Sequence, residues 1–192
     1  MGMYLVSVTA QDWSQPGEDG YGDVAAALNA ELERRGLPAY EPQDAVRDAP
    51  GWFEEKISPS MDGFTALCAA QLTDAELSAL LDWAVLVPLP LEEEILLPVA
   101  TAYAGDETPV AGAPRVLALA RRLARVIGLP LDAIPAGENL ALSLWFMEGG
   151  VAKAAEEWPG PWTKDLDAAF YVALYLRAAQ YSLRYGCPMT YS

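Results

Sequence analysis

Apolar residues spaced three and four apart dominate this chain, and short β-branched runs and turns rich in Pro and Gly divide them into segments. Residues 4–9, Tyr-Leu-Val-Ser-Val-Thr, are β-branched and aromatic and alternate in part, which predicts a strand. A loop over 11–22 holds Pro16, Gly17, Gly20 and Gly22, and Asp23 then stands where it can cap a helix reaching Arg35. Val24, Leu28 and Leu32 give that helix a narrow apolar stripe, and Gly36 and Pro38 close it. Residues 38–59 contain Pro42, Pro50 and Gly51 without a sustained period and predict irregular chain.

The next segments are mostly helical. Residues 64–72 predict a short helix, and Thr73 with Glu76 three positions on is a capping-box spacing that starts another through Leu77, Leu80, Leu81 and Val85. Pro88, Pro90 and Pro98 break helix, so 91–97 fits an edge strand or a short helix. Residues 112–114 open the clearest amphipathic helix, with Pro114 in its first turn and Gly128 at its end. Val116, Ala120, Leu123, Ala124 and Ile127 share one of its faces, with Arg115, Arg122 and Arg125 towards the other. Leu140, Leu142, Leu144 and Phe146 alternate as a buried strand would, although the Ala and Leu content of 140–147 fits a helix equally. After the Trp-Pro-Gly-Pro-Trp turn at 158–162, residues 163–185 predict one long helix, stopped by Gly186 and Pro188. It is apolar around most of its circumference, which places it centrally. These elements predict an α+β fold: a single, mainly helical domain over 1–192 with about five helices. Its small sheet includes the first strand and 84–87 or 140–147, and its long C-terminal helix is largely buried.

Composition narrows the chemistry. Of 192 residues, 53% are hydrophobic and 20% charged, as in a folded globular protein. No histidine is present, which excludes Ser-His-Asp and Cys-His nucleophiles and imidazole-based zinc sites. The two cysteines, Cys68 and Cys187, lie far apart and fit a reducing cytoplasm better than a disulfide scaffold. No basic stretch leads into a long apolar core at the amino terminus, so no secretory signal is expected. Val6 replaces the Ser or Thr of a myristoylation site. The longest uncharged runs, such as 95–105, are 11 residues and too short to span a bilayer, so no membrane partner is expected. Thirty-three alanines and nine Arg against three Lys suggest a GC-rich bacterial source.

Several constellations invite a catalytic or binding reading, and each has a plainer one. The glycine loop before the first helix carries Glu18, Asp19 and Asp23 and no Lys, which opposes a phosphate. With Asp12 these acids could meet a cation, but the EF-hand order is missing, and no metal or cofactor is expected. Glu54-Glu55, Glu92-Glu93-Glu94 and Glu156-Glu157 lie near tryptophans and offer paired carboxylates, whereas such runs are ordinarily solvated. Neither cysteine has a cationic neighbour in sequence to lower its pKa. Trp145, Trp158, Trp162, Tyr171 and Tyr175 could line a pocket with Arg177 or Arg184, as in a small enzyme or ligand-binding protein. Core packing is the usual role of such rings, and salt bridges the usual role of such arginines.

The formal net charge is −15. Residues 1–111 carry 20 acids against 4 bases, and no Lys or Arg occurs from 57 to 114. Asp62, Asp74, Glu76, Asp82, Glu92, Glu93, Glu94, Asp106 and Glu107 fall in that stretch and form the candidate partner-binding residues. Nucleic acid is disfavoured as a partner, since phosphate neutralisation needs clustered bases. The leading expectation is therefore a non-catalytic interaction protein, such as an inhibitor or immunity-type neutraliser, facing a basic protein. The competing one is the aromatic-lined pocket near the last helix.

Overall fold

A computed structural model of the chain describes residues 2–17, 20–43, 52–136 and 139–192. Glu18 and Asp19 of the glycine loop, with Pro50 and Gly51, lie outside these residues. Six strands form one mixed sheet: β1 (Met3–Ser7), β2 (Glu54–Ile57), β3 (Val85–Val87), β4 (Ile95–Leu97), β5 (Thr108–Gly112) and β6 (Met189–Tyr191). Their order is β2-β1-β6-β3-β5-β4, antiparallel throughout except for the parallel pair β3 and β5. With eight α-helices among the described residues, the fold is α+β.

Strand periodicity divides the core between two faces. Val85, Val87, Ile95, Leu97 and Val110 bury on one face against α1 (Ala10–Ser14) and α2 (Gly22–Arg34). Trp13, Val24, Leu28 and Leu32 complete that layer, the helical stripe docking as its four-residue spacing predicts. Leu5, Leu86, Ala111 and Met189 face the other way, into a larger core. There α3 (Asp62–Gln71), α4 (Asp74–Leu81), α5 (Ala113–Ile127), α6 (Ala141–Met147) and α7 (Gly150–Glu157) surround α8 (Leu166–Tyr185). Thirteen of the twenty residues of α8 are buried, so this helix is the axis of the larger layer. Full burial of each Leu or Val in these stripes is worth about 1.5–3 kcal/mol.

Local signals set most boundaries. Thr73 and Glu76 cap α4 reciprocally: Thr73 Oγ1 accepts from the Glu76 amide, and the Glu76 carboxylate accepts from the Thr73 amide. Pro114 occupies the first turn of α5, and Gly128 ends it with φ of 65°, a conformation that a side chain resists. At the junction of β5 and α5, a Cβ on Gly112 would collide with the Leu89 carbonyl.

Several boundaries differ from expectation. Tyr21, not Asp23, is the N-cap residue of α2, which leaves Asp23 in the first turn, where its charge still favours the helix. The loop over 11–22 opens with the one-turn α1, capped by Thr9 Oγ1. Residues 54–57 form β2 because β1 offers them a free edge, although their Glu-Glu-Lys-Ile sequence has little strand character. The helix begun by Thr73 stops at Leu81, and Val85 instead enters the sheet, as part of the expected 84–87 strand. Residues 95–97 are the edge strand of the two alternatives, and 141–147 are the helix. The expectation of one helix from 163 also changes: a 3₁₀ turn covers Pro161–Lys164, and Asp165 caps α8 by accepting from the Ala168 amide. Among the described residues no helix is long and apolar enough to cross a membrane.

Candidate functional site

The acids of 57–114 separate into distinct environments. Glu76 is consumed internally: Arg122 Nη1 and Nη2 donate to its two oxygens at 2.8 and 2.7 Å, and Nη2 also donates to the Gln71 carbonyl. That bidentate contact and the Thr73 amide hold the Glu76 carboxyl at about 2. Glu94 is half-buried, and burial, seconded by the charge of Asp82, pushes its carboxyl up while Arg115 pulls it down. Arg115 donates to the backbone carbonyl of Glu92, leaving the Glu92 carboxylate free of that guanidinium. Asp62, Asp74, Asp82, Glu92, Glu93, Asp106 and Glu107 are exposed, and none forms an ion pair with a described residue. Sheet topology divides them further. Asp82, Asp106 and Glu107 precede the amino-terminal ends of the parallel strands β3 and β5, whereas Glu92 and Glu93 precede β4, which runs the opposite way.

Three concave regions lie in or beside this stretch. The first, about 390 Å³, is bordered by Met3, Asp82, Tyr103, Glu107, Pro109 and Tyr191. The second, about 270 Å³, lies between the start of α2 and residues 99–103, where Tyr21 Oη contacts Thr190 Oγ1 at 3.3 Å. Tyr103 lines both. The third, about 420 Å³, contains Glu92 and Glu93 together with Arg35, so it carries its own cation.

The carboxy-terminal aromatics are placed as packing. Trp162 and Tyr171 are buried; Trp162 Nε1 donates to the Trp158 carbonyl and Tyr171 Oη to the Pro59 carbonyl. Tyr175 stacks on Phe64 and shares a 3.2 Å hydroxyl contact with Tyr191, while Trp145 packs edge-on against Phe146. Trp158 is largely exposed. Arg177 donates to the carbonyls of Leu131, Ile134 and Pro135 at 2.7, 2.7 and 2.9 Å and to Gln180 Oε1. It thereby clasps the chain after α5 onto α8. Arg184 is exposed and lies over the Tyr185 ring, 5.4 Å from its centroid. These two arginines have separate surroundings and do not meet at a common site.

The paired glutamates are likewise divided. Glu55 is fully buried and accepts from the amides of Leu142 and Ser143 and from Ser143 Oγ at 2.7–2.8 Å, anchoring α6 on β2. Burial pushes its carboxyl up, opposed by these donors. Glu54 accepts from Trp52 Nε1, and Glu157 lies 3.8 Å from Lys153. Both cysteines are free thiols, and burial pushes Cys68 to about 11 and Cys187 to about 12, far from the range of a reactive thiolate. Among the described residues no group of three His, Cys, Asp or Glu could hold a metal ion.

Sequence reasoning missed Met3, Trp83, Tyr103 and Tyr191 at the first cavity. Trp83 stacks on Tyr191 with centroids 5.0 Å apart, a contact made only because β6 inserts between β1 and β3. The one available signal was Trp83 and Tyr103 standing among unpaired acids in the base-free stretch. Comparison with protein-family models, with curated proteins and with solved structures gave no match.

Proposed function

We propose that this protein is a non-catalytic interaction module that binds a basic protein partner through acids of the 57–114 stretch, working in a reducing cytoplasm. The carrying observation is that seven of the nine acids there are exposed and meet no cation of the described chain. Such uncompensated charge accelerates encounter with a positive surface and disfavours nucleic acid, whose phosphates it repels. Both thiols being free accords with a reducing compartment.

The test is affinity capture at low salt, with retained proteins identified by mass spectrometry. It is run beside a variant in which Asp62, Asp74, Asp82, Asp106 become Asn and Glu92, Glu93, Glu107 become Gln. The wild type should retain one or a few proteins of high isoelectric point that elute as salt rises, and the variant should not. Equal retention by both, or no basic protein retained by the wild type, ends the proposal.

A further inference from the structure

We propose that the cavity bordered by Met3, Tyr103, Tyr191, Asp82 and Glu107 receives an arginine side chain of the basic partner. This rests on the interaction reading above and names the group that the partner presents. At about 390 Å³ the cavity falls within the range of pockets that enclose small ligands. Its apolar wall is open to water, with Met3 47% and Tyr103 51% exposed. Tyr191 is held in place: its ring stacks on Trp83, which also lines the cavity, at 25°, and its hydroxyl is engaged by Tyr175. The charged side chains at the cavity are the two carboxylates Asp82 and Glu107, and none of its lining residues is basic.

Asp82 adds an observation independent of the cavity. It is the C-cap residue of α4, where the partial negative end of the helix disfavours a carboxylate. Neither Asp82 nor Glu107 forms an ion pair with a described cation. Burial raises the Tyr191 hydroxyl well above its ordinary value, seconded by Tyr175 and, least, by the charge of Asp82. A cation entering the cavity relieves both carboxylates and meets aromatic surface.

The choice of arginine follows from geometry. A guanidinium is planar, stacks on aromatic faces and offers forked donors to carboxylates, and it sheds water more readily than an ammonium. An anion would meet two like charges, and a purely apolar segment would strip water from two carboxylates without replacing it. A single arginine enclosed by aromatic rings and rimmed by acids has the make-up of an interface hot spot.

The experiment titrates the full chain with N-acetyl-arginine amide and follows the Met3 methyl and the tyrosine ring signals by NMR. N-acetyl-lysine amide and the uncharged isostere N-acetyl-citrulline amide serve as comparisons. Saturable shifts centred on Met3, Tyr103 and Tyr191 are expected with arginine at roughly millimolar affinity, weaker with lysine and absent with citrulline. Tyr103→Ala, and separately the pair Asp82→Asn with Glu107→Gln, should weaken binding at least fivefold. The pair Glu33→Gln with Glu156→Gln removes the same charge at exposed positions outside the cavity and should leave it unchanged. Equal binding of citrulline, equal loss in the control pair, or no saturable shift overturns the inference. If a captured basic protein still binds Tyr103→Ala at full strength, the arginine pocket fails while the broader interaction reading stands; if no basic protein is captured at all, the broader reading fails first.

Discussion

Arg177 on α8 and Asp82 beside β3 are both charged groups within a few residues of aromatic rings, yet their surroundings differ. Arg177 sends donors to three backbone carbonyls and a glutamine amide oxygen, so its charge is absorbed in fastening the 131–135 chain to α8. Asp82 stands exposed at a helix end that disfavours it and meets no cation among the described residues. The same contrast separates the two aromatic groups. Trp162, Tyr171 and Tyr175 fill the interior with their polar atoms matched, whereas Tyr103 and the adjoining Met3 remain open to water. Proximity of rings and charges in sequence therefore does not distinguish a core from an open surface; satisfaction of the charge does.

Breaking this contrast begins with Arg177→Ala, which leaves three backbone carbonyls without their donor. It should cost about 3 kcal/mol in urea denaturation, with little recovery in Arg177→Lys, whose single ammonium cannot span the three acceptors. A loss below about 1 kcal/mol would mean that the clasp is not structural. Glu55→Ala orphans the amides of Leu142 and Ser143 and should cost about 2 kcal/mol by the same measurement. Tyr175→Phe, which removes one hydroxyl from its contact with Tyr191, should cost about 1 kcal/mol.

Smaller effects mark the acidic side. The Glu76 carboxyl is depressed from 4.5 to about 2 by Arg122 and its cap, so its contribution is fully present above pH 4.5 and is lost as pH falls towards 2. Stability followed across that window should fall less steeply in Glu76→Gln than in the wild type. Equal slopes would show that the pair is not maintained in solution. The smallest change is expected for Asp82→Asn with Glu107→Gln, which should leave stability within about 0.5 kcal/mol or raise it slightly, since Asp82 opposes the dipole of α4. A marked destabilisation would place these acids with Arg177, as structural groups, and remove the contrast.

How much of this was legible depends on the range of the interactions. The capping box at Thr73, the Pro114 start and Gly128 stop of α5, and the buried character of α8 follow from residues within a turn or two, and the sequence carried them. Strands β2, β5 and β6 did not announce themselves. Their three to five residues include charges in β2 and a proline in β5, and only pairing with distant strands makes them extended. The absence of histidine and the base-free stretch from 57 to 114 were likewise complete in the sequence, because composition needs no fold to be read.

Pairing of charges was decided by tertiary structure alone. Nothing in the spacing of Glu76 and Arg122, 46 residues apart, separates them from Asp82 and Arg121; docking of α4 on α5 joins the first two and leaves Asp82 without an ion pair among the described residues. Likewise Tyr191 reaches Trp83 and Tyr175 only because β6 enters the centre of the sheet. The sequence determined how much negative charge this protein carries and which mechanisms lack their residues. The fold determined which of those charges are answered from within, because Coulombic and hydrogen-bonding partners act over a few ångströms of space regardless of their separation along the chain.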